Sequence, residues 1–468
     1  MIEGLKPYQD YKESGLPWLG RCPSHWPVRR TKILFQERVQ KGFPNEPLLA
    51  ATQTKGVVRK EDYGTRTVTA QKDLHLLKLV EVGDYVISLR SFQGGIEVAH
   101  YRGIISPAYT VLKSSEAAAT GYYSHFFKSK QFIDSLSLFV TGIREGQNIE
   151  YERLSRAEMP LPPATEQLAI VRFLDHANRK IDDFIRAKRK LIGLLNEQKQ
   201  AIIHRAVTRG LDPNAKLKPS GIPWLGEIPE HWELRRLRTL TRRIEQGVSP
   251  QATGFLAEGD TWGVLKSGCI NHGVFRQTEH KQLSKDFAID PSIVVKVGDV
   301  LISRACGSPK LVGSVGKVKA LDYQLILSDK TFRAVFGSFV DTDFMVYAMN
   351  GIYYRQQVEQ AISGADGMAN NLPLSELKSF VFAIPPLAEG ADIASKLDAE
   401  LARFTTAIAR TEREIALMQE YRTRLTADIV TGKLDVREAA AKLPEQVDEE
   451  ASDSEIPEDE TELEEAEE

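Results

Sequence analysis

The sequence lacks any apolar run approaching the ~20 residues that a helix needs to cross a bilayer. Its amino-terminal stretch also lacks the apolar segment of a secretory signal. Cysteine is scarce, because only Cys22, Cys269 and Cys306 occur and no two of them are close in sequence. This excludes a disulfide framework and a cysteine-based zinc site, so we expect a cytoplasmic protein with reduced thiols and no membrane association.

Signatures of catalysis are lacking too. Neither Pro162-Pro163 nor Pro385-Pro386 has the preceding Asn or Asp and the following aromatic residue that an adenine methyltransferase loop would have. The glycine-rich stretch 307–317 is not a phosphate-binding loop, because Val318 stands where Ser or Thr is required. No His, Cys or carboxylate cluster has the spacing of metal ligands. The sequence therefore predicts neither catalysis nor a metal site. The alternative is a nuclease or methyltransferase of unrecognised type.

Charge is unevenly distributed along the chain. The 61 Lys+Arg and 64 Asp+Glu give a net charge of -3, but 14 of the acidic residues and no basic residue lie in residues 443–468. Residues 1–442 therefore carry a balance of +11, which suits a polyanionic partner. The simplest interpretation of the tail is a solvated, disordered segment. A second hypothesis is that it competes with DNA for the basic part of the chain.

The chain contains an internal repeat. The segment Ser14–Arg30 recurs as Ser220–Arg236 at a constant offset of 206. Besides the first serine of each copy, the residues with identical counterparts are Gly15, Pro17, Trp18, Leu19, Gly20, Pro23, His25, Trp26, Arg29 and Arg30. We interpret His25 and His231 as packing or capping residues rather than catalytic ones. Repetition on this scale predicts a tandem duplication.

Two further blocks repeat downstream. Val82-Gly83-Asp84 and Val297-Gly298-Asp299 each read as a Gly-Asp turn that leads into a strand. The Pro-Pro pairs, followed by Glu166 and Glu389, recur at an offset of 223. Between these blocks the two halves differ widely, so the duplicated frame carries two divergent inserts.

A long helix is predicted after each Pro-Pro pair. Apolar residues recur there at alternating spacings of four and three, which is typical of a coiled-coil seam. Each helix, roughly 35 residues long, would span ~50 Å. We expect the two helices to pair antiparallel; the alternative is that each packs on its own domain. The predicted seam comprises Ile181, Ile185, Ile192, Leu195, Ile202, Phe404, Ile408, Ile415, Met418 and Leu425.

The inserts have a mixed α/β pattern, with short β-rich runs and one helical segment each, at residues 122–138 and 344–362. Both contain polar, basic loops with glycine. Arg and Lys suit guanine edges and phosphates, and Gln and Asn suit adenine edges, although such loops are also common as plain solvated surface. The candidate DNA-binding residues are Thr54, Lys55, Arg59, Lys60, Arg90, Ser91, Gln93, Arg144, Gln147, Asn148, Lys266, Arg304, Asn370 and Asn371.

The repeated Ser-Gly-x-Pro-Trp opening with its His-Trp pair, together with a Pro-Pro-x-x-Glu block before a long helix, resembles the specificity subunits of type I restriction–modification systems. The resemblance covers about residues 10–436. The second copy departs from the pattern at Gly390, where the family usually has Gln. The implied fold class is α+β, a tandem duplication of two mixed α/β target recognition domains separated by two long helices that form an antiparallel coiled coil.

The repeats, the charge distribution and the resemblance together give expected domain boundaries. They are an amino-terminal arm at 1–30, target recognition domain 1 at 31–165, a central coiled-coil helix at 166–210, a repeat of the arm at 211–236, target recognition domain 2 at 237–388, a distal coiled-coil helix at 389–436, and an acidic disordered tail at 437–468.

The implied function is to read a bipartite, asymmetric target in double-stranded DNA. The expected partners are two methyltransferase subunits, and two motor-nuclease subunits can join them. The chain itself is expected to bind no cofactor, while S-adenosylmethionine, ATP and Mg are used by the partner subunits. The resemblance also implies that the arm and the distal helix meet and close a circular frame. The competing interpretation is a coiled-coil scaffold without sequence-specific readout.

Overall fold

The computed structural model describes residues 5–53, 55–63, 73–89, 91–118, 120–141, 148–271, 273–362 and 370–444. The chain divides into two compact units. Unit 1 comprises Met1–Arg186 and Ile415–Glu468, and unit 2 comprises Ala187–Glu414. Each unit therefore takes part of both long helices.

The first half of the chain consists of short strands and helices followed by one very long helix. Its strands are β1 (Tyr11–Glu13), β2 (Arg21–Pro23), β3 (Val28–Arg30), β4 (Phe35–Glu37), β5 (Leu49–Thr52), β6 (Gly56–Arg59), β7 (Lys78–Val80), β8 (Tyr85–Ile87), β9 (Glu97–Val98), β10 (Gly103–Ile105), β11 (Thr110–Ser114), β12 (Val140–Thr141), β13 (Asn148–Ile149) and β14 (Glu158–Pro160). Its helices are α1 (Thr31–Leu34), α2 (Ser91–Gly94), α3 (Tyr122–Phe126), α4 (Lys130–Leu136), α5 (Tyr151–Arg156) and α6 (Ala164–Arg209).

The second half repeats this order. Its strands are β15 (Leu217–Pro219), β16 (Glu227–Pro229), β17 (Glu233–Arg236), β18 (Thr241–Gln246), β19 (Trp262–Leu265), β20 (Ile270–Asn271), β21 (Val274–Phe275), β22 (His280–Gln282), β23 (Val300–Ser303), β24 (Ala305–Cys306), β25 (Val315–Lys317), β26 (Gln324–Ile326), β27 (Thr331–Phe336), β28 (Asn370–Asn371) and β29 (Val381–Ile384). Its helices are α7 (Leu237–Leu240), α8 (Thr342–Ala348), α9 (Ile352–Ala361), α10 (Leu374–Ser379), α11 (Leu387–Val430) and α12 (Arg437–Ala441).

The helical segment predicted in each insert is a pair of helices. In the first insert the break follows Phe126, whose carbonyl oxygen accepts a hydrogen bond from the Ser129 hydroxyl at 2.7 Å. In the second insert the break lies between Ala348 and Ile352. Local side-chain bonding of this kind competes with helix propagation, and periodicity alone does not reveal it.

The same four-stranded antiparallel sheet occurs in both units. Its order is β4-β11-β8-β9 in unit 1 and β18-β27-β23-β25 in unit 2. In each unit the Gly-Asp turn leads into the third strand in this order, β8 or β23. A two-stranded ribbon, β3–β14 or β17–β29, joins the end of the repeated arm to the strand before the Pro-Pro pair. The tandem duplication and the mixed α/β inserts are confirmed.

The long helices exceed the predicted length. Helix α6 has 46 residues and α11 has 44, and each begins directly after its Pro-Pro pair. In unit 1 the Asp182 carboxylate pairs with Arg422, while Leu174 shares a core with Ile429. Later residues of α6 therefore pack against earlier residues of α11, so the two helices are antiparallel.

Unit 2 has the same antiparallel arrangement. The Lys188 ammonium lies 2.7 Å from the Glu414 carboxylate, while Val207 shares a core with Leu397 and Leu401. Among the predicted seam residues, Ile181, Ile185, Phe404 and Leu425 are buried, and Ile192, Leu195, Ile202, Ile408, Ile415 and Met418 are half-buried.

Each long helix begins with a glutamate held by the repeated His-Trp pair. The buried Glu166 carboxylate accepts hydrogen bonds from Trp26 Nε1 at 3.2 Å and from the Tyr8 hydroxyl, and it lies 2.8 Å from His25 Nε2. A negative charge in the first helical turn also interacts favourably with the helix dipole. The repeated His-Trp motif therefore fixes where the arm meets the helix, as the packing interpretation of His25 requires.

The second copy of this junction is more open. Glu389 lies 2.7 Å from His231 Nε2 and accepts from Trp232 Nε1 at 3.1 Å, but its side chain is 31% exposed. Its neighbour Gly390 has no side chain to reproduce the role of Gln167. Gln167 Nε2 donates to the Pro162 carbonyl oxygen at 2.8 Å and to that of Ala117 at 3.1 Å.

The segment that follows helix α11 contacts the first described residues of the arm within unit 1. The Asp435 amide donates to the Lys6 carbonyl oxygen at 2.8 Å, and the Arg437 guanidinium lies 5.3 Å from the centre of the Tyr8 ring. Burial acts to raise the pKa of Asp435, but hydrogen bonds from Arg437 outweigh it and hold that pKa below its ordinary value. Residues 437–441, assigned from the sequence to the disordered tail, form helix α12.

A glycine ends each long helix, and the two differ in the space around them. Gly432 (φ 77°) and Gly210 (φ 71°) both have a left-handed backbone conformation. A Cβ at Gly432 would lie 2.3 Å from Pro23 Cδ, whereas the nearest atom to a Cβ at Gly210 would be a Glu389 carboxylate oxygen at 3.2 Å.

We therefore expect Gly432→Ala to lower the free energy of unfolding of unit 1 by about 2–4 kcal/mol, since backbone strain and overpacking add. Gly210→Ala should cost unit 2 only about 1–2 kcal/mol, because the backbone strain is joined by milder contacts, 3.2 Å to the Glu389 carboxylate and 3.3 Å to the Trp232 ring. Urea unfolding of the two variants, followed by tryptophan fluorescence, tests this difference. Equal losses would contradict it.

Candidate nucleic-acid interface

The Gly-Asp turn in front of the third sheet strand is held by a buried ion pair in both units. In unit 1 the Asp84 carboxylate accepts from Arg38 Nε at 2.7 Å and from the Glu81 amide at 2.8 Å. In unit 2 Asp299 accepts from Arg333 Nη1 at 3.0 Å and from the Lys296 amide at 2.9 Å. Arg38 directly follows strand β4, whereas Arg333 lies on strand β27, yet each pairs with the aspartate of its turn.

The candidate residues of unit 1 gather on two adjacent loops. In the β5–β6 turn, Thr52 Oγ1 accepts from the Lys55 amide at 2.8 Å, and Lys55 is exposed. Lys128 Nζ donates to the Gln53 carbonyl oxygen at 2.9 Å and to that of Gly94 at 2.8 Å. Lys128 thus fastens the turn to helix α2, and the sequence pattern gave no sign of this role.

Helix α2 presents one candidate and buries another. Gln93 is exposed, whereas Ser91 is buried and its hydroxyl accepts from the Ser88 amide at 2.8 Å. We therefore assign Ser91 to ordering the turn after β8 and not to contact with a ligand. Helix α2 also contacts strand β13, on which Asn148 lies.

The remaining unit 1 candidates are less accessible or lie outside the described residues. Arg59 is exposed and lies 3.9 Å from the Glu61 carboxylate and 5.0 Å from the centre of the Tyr101 ring, while Lys60 is half-buried. Thr54, Arg90, Arg144 and Gln147 lie outside the described residues.

One buried carboxylate supports this region. Glu97, on strand β9, is 2% exposed and pairs with Lys128. Burial raises the pKa of Glu97, and the neighbouring Lys128 partly offsets that shift. The pair lies beneath the two loops, so it contributes to their rigidity rather than to a solvent-facing charge.

The candidates of unit 2 also come together. Strand β24 pairs with β28, which places Asn371 opposite Ala305, next to Arg304. Arg304 Nη1 donates to the Asp329 carbonyl oxygen at 2.9 Å, and Asn370 Nδ2 donates to that of Gly307 at 3.2 Å. All three candidates, Arg304, Asn370 and Asn371, are half-buried.

Lys266 completes the unit 2 group. It precedes the 3-10 turn Ser267–Cys269, which contacts β24. Its ammonium lies 3.7 Å from the Glu279 carboxylate, a loose pair that leaves the lysine available to an anion. Both units therefore bring polar and basic side chains from several loops to one place.

Within the described ranges, no group of three or more His, Cys, Asp or Glu side chains is placed to hold a metal ion. Among the helices in the same residues, none is both long enough and apolar enough to cross a membrane.

Known proteins are similar to this chain in sequence. A Methanocaldococcus jannaschii protein, provisionally named the type I restriction enzyme MjaX specificity subunit, is 25% identical over 459 residues, which covers 92% of this chain and 99% of that protein. The resemblance to type I restriction enzyme specificity subunits is confirmed. The EcoKI specificity subunit of Escherichia coli K12 is 23% identical over 327 residues, 69% of this chain and 68% of its own length. No family model matches the sequence.

A solved structure shares the fold of this chain. It comes from work on complex assembly and conformational transition of the type I R-M system, and it matches with a TM-score of 0.60 at 16% identity. The match covers 87% of this chain and 98% of the other. At this identity the likeness establishes the fold, including two long helices and mixed helix and strand content.

Proposed function

We propose that this chain is the DNA-binding specificity subunit of a type I restriction–modification system. It would recognise a bipartite, asymmetric target in double-stranded DNA and direct partner methyltransferase and restriction subunits to it. The observation that carries the proposal is a rigid frame, duplicated in both units, on which two divergent sets of polar loops are mounted. Loops that vary on a fixed scaffold are a common way to vary what a protein binds.

Because the two loop sets differ, we expect the two halves of the target to differ in sequence. Unit 1 offers Lys55 and Gln93, whereas unit 2 offers Lys266, Arg304 and the Asn370-Asn371 pair. Because these groups differ in hydrogen-bonding pattern, each unit should prefer a different base sequence. Helix α6 is continuous and supplies residues to both units, so we expect the two half-sites to have a fixed spacing.

The proposed role is non-catalytic, in keeping with the description of the relatives as specificity subunits. Methylation would then be carried out by two methyltransferase subunits that use S-adenosylmethionine. Cleavage would be carried out by motor-nuclease subunits that use ATP and Mg. The proposal assigns no cofactor to this chain.

The test is to purify the full chain with the methyltransferase encoded beside it and map methylated adenines in genomic DNA. We expect a bipartite, non-palindromic motif with one modified adenine on each strand. Methylation by the chain alone would favour the enzyme interpretation. A complex that assembles but shows no motif would favour a scaffold.

Point variants should alter one half of that motif at a time. Gln93→Ala in unit 1 and Asn370→Ala in unit 2 each remove an amide that suits an adenine edge, worth about 1–3 kcal/mol of discrimination. We expect about tenfold or greater relaxation at one position of one half-site, with the other half unchanged. Motif mapping measures this, and thermal unfolding checks that both variants remain folded. Simultaneous relaxation of both halves would contradict separate readout.

The acidic tail gives a further prediction. Leu443 packs on the unit 1 core, and its carbonyl oxygen accepts from Arg172 at 2.7 Å. A variant that removes the tail should therefore keep Leu443. If the tail competes with DNA, deletion of residues 445–468 should raise the affinity for mixed-sequence duplex at low salt. Unchanged affinity would identify the tail as a solvated segment only.

A further inference from the structure

A surface cavity of about 610 Å³ lies on the repeated arm of unit 2, apart from the loops assigned to base readout. Lys218, Arg235, Arg236 and Arg238 contribute four cationic side chains to its lining, and Glu233 contributes one carboxylate. The Glu233 carboxylate is 2.6 Å from Arg235 Nη2, which neutralises that arginine. The cavity therefore presents three further positive charges.

Those three cations are available to a partner. Arg236 and Arg238 are exposed, and Lys218 is half-buried. Among the residues that the structure describes, none of the three forms an ion pair with an acidic side chain. A cluster of exposed, uncompensated cations repels itself, so it gains most from an anionic partner that screens it.

The backbone fixes the direction of these side chains. Strand β17 pairs with β29 through Arg236 opposite Val381, and the Leu237 amide donates to the Phe380 carbonyl oxygen at 2.8 Å. In helix α7, Leu237 and Leu240 are buried, which leaves Arg238 and Thr239 facing solvent. Arg236 and Arg238 are thus held by a paired strand and the turn that follows it, while Lys218 lies on strand β15.

Unit 1 carries the same cations at the equivalent positions. Lys12, Arg29, Arg30 and Lys32 correspond to Lys218, Arg235, Arg236 and Arg238 at the repeat offset of 206. Strand β3 pairs with β14, and in helix α1 Thr31 and Leu34 are buried while Lys32 is exposed. The charge is kept in both copies although the inserts that follow have diverged.

We propose that this duplicated cationic surface, one copy on each unit, binds the phosphodiester backbone of DNA without reading sequence. The inference rests on the proposed function and assigns it a second kind of contact. A surface that is the same in both copies suits a ligand that is the same beside both half-sites. The sugar–phosphate backbone has that property, and base edges do not.

The arrangement also favours a polyanion over a single phosphate ion. Arg236 and Arg238 lie exposed along a strand and a turn, and the half-buried Lys218 lies on a separate strand, so the cations do not converge around a buried pocket. Their contribution should therefore resemble counterion release, in which each neutralised phosphate changes the logarithmic salt dependence of binding by about 0.9.

The test compares two double variants of the full chain that remove the same charge. Arg236→Gln with Arg238→Gln alters the surface. Lys285→Gln with Lys319→Gln alters exposed lysines of unit 2 that do not line the cavity. Binding to a mixed-sequence duplex is measured over a range of salt concentrations, and thermal unfolding checks the fold.

We expect the surface variant to bind all duplexes about tenfold more weakly at moderate salt, with a salt slope shallower by about one to two. The control variant should keep its slope. Equal effects in the two variants would overturn the proposal. So would unchanged DNA binding with lost co-purification of the methyltransferase, which would make the surface a protein-docking site.

A second readout separates this inference from the proposed function. Methylated-adenine mapping with the surface variant should give the same bipartite motif as the unaltered chain, at lower efficiency. If the surface variant gives the motif but its salt dependence is unchanged, the phosphate-binding surface is wrong and the proposed function stands. The absence of any motif with the unaltered chain overturns the proposed function.

Discussion

Replacement of Glu166 by alanine is expected to lower the free energy of unfolding of unit 1 by about 3–5 kcal/mol, the cost of breaking a buried charged network by removing one partner. The Glu166 side chain is only 3% exposed. Its loss would leave the Trp26 indole and the Tyr8 hydroxyl without an acceptor in the core. Unpaired buried donors are costly because water cannot replace the lost partner.

The duplication supplies a matched control for this experiment. Glu389 makes the equivalent contacts to His231 and Trp232, but it is 31% exposed, so water can solvate what Glu389→Ala leaves behind. We expect that variant to cost unit 2 about 1–2 kcal/mol. Urea unfolding monitored by fluorescence and by circular dichroism compares the two. Equal costs would show that burial does not decide the strength of this junction.

Replacement of Arg333 by methionine should destabilise unit 2 by about 3–5 kcal/mol. The Arg333 side chain is 7% exposed; it bonds the Asp299 and Glu245 carboxylates and donates to the Val294 carbonyl oxygen at 2.7 Å. Methionine fills similar space, but it removes the cationic partner of Asp299 and the donor to the Val294 carbonyl oxygen, and it leaves Glu245 with the exposed Arg243. The unfolding free energy of unit 2 measures the loss.

The control for this variant is a second arginine that pairs with Glu245 from the solvent-exposed side. Arg243 Nε lies 2.7 Å from Glu245, but the Arg243 side chain is 66% exposed. Exposed ion pairs contribute little, so Arg243→Met should cost no more than about 1 kcal/mol. If both variants lost similar stability, the buried network around Arg333 would not be the source of the effect.

The parts of the fold that repeat were accessible from the sequence. The His-Trp and Pro-Pro-x-x-Glu blocks recur in register, and the structure shows them in direct contact through Glu166 and Glu389. The seam periodicity also located both long helices. Their lengths were underestimated, because the first turns of α6 and α11 are held by packing against the arm and not by the seam.

The candidate interface was predicted less completely. Loop composition pointed to Lys55 and Gln93, which are exposed, but also to Ser91, which is buried. Composition cannot distinguish a hydroxyl that faces solvent from one that caps a turn, since both occur in polar segments. Lys128 was missed because it reaches the loops from a separate helical region, and no local pattern reveals such a long-range contact.

The arginines that pair with the two Gly-Asp turns limit where segments can be exchanged between the two halves of the chain. Asp84 is paired by Arg38, which follows the first strand of its sheet, whereas Asp299 is paired by Arg333 on a strand that comes later in the chain. A hybrid in which the two halves were joined between Arg38 and Asp84 would contain one of these charges without its partner. An exchange made at the ribbons that border the sheet would keep each arginine with its aspartate.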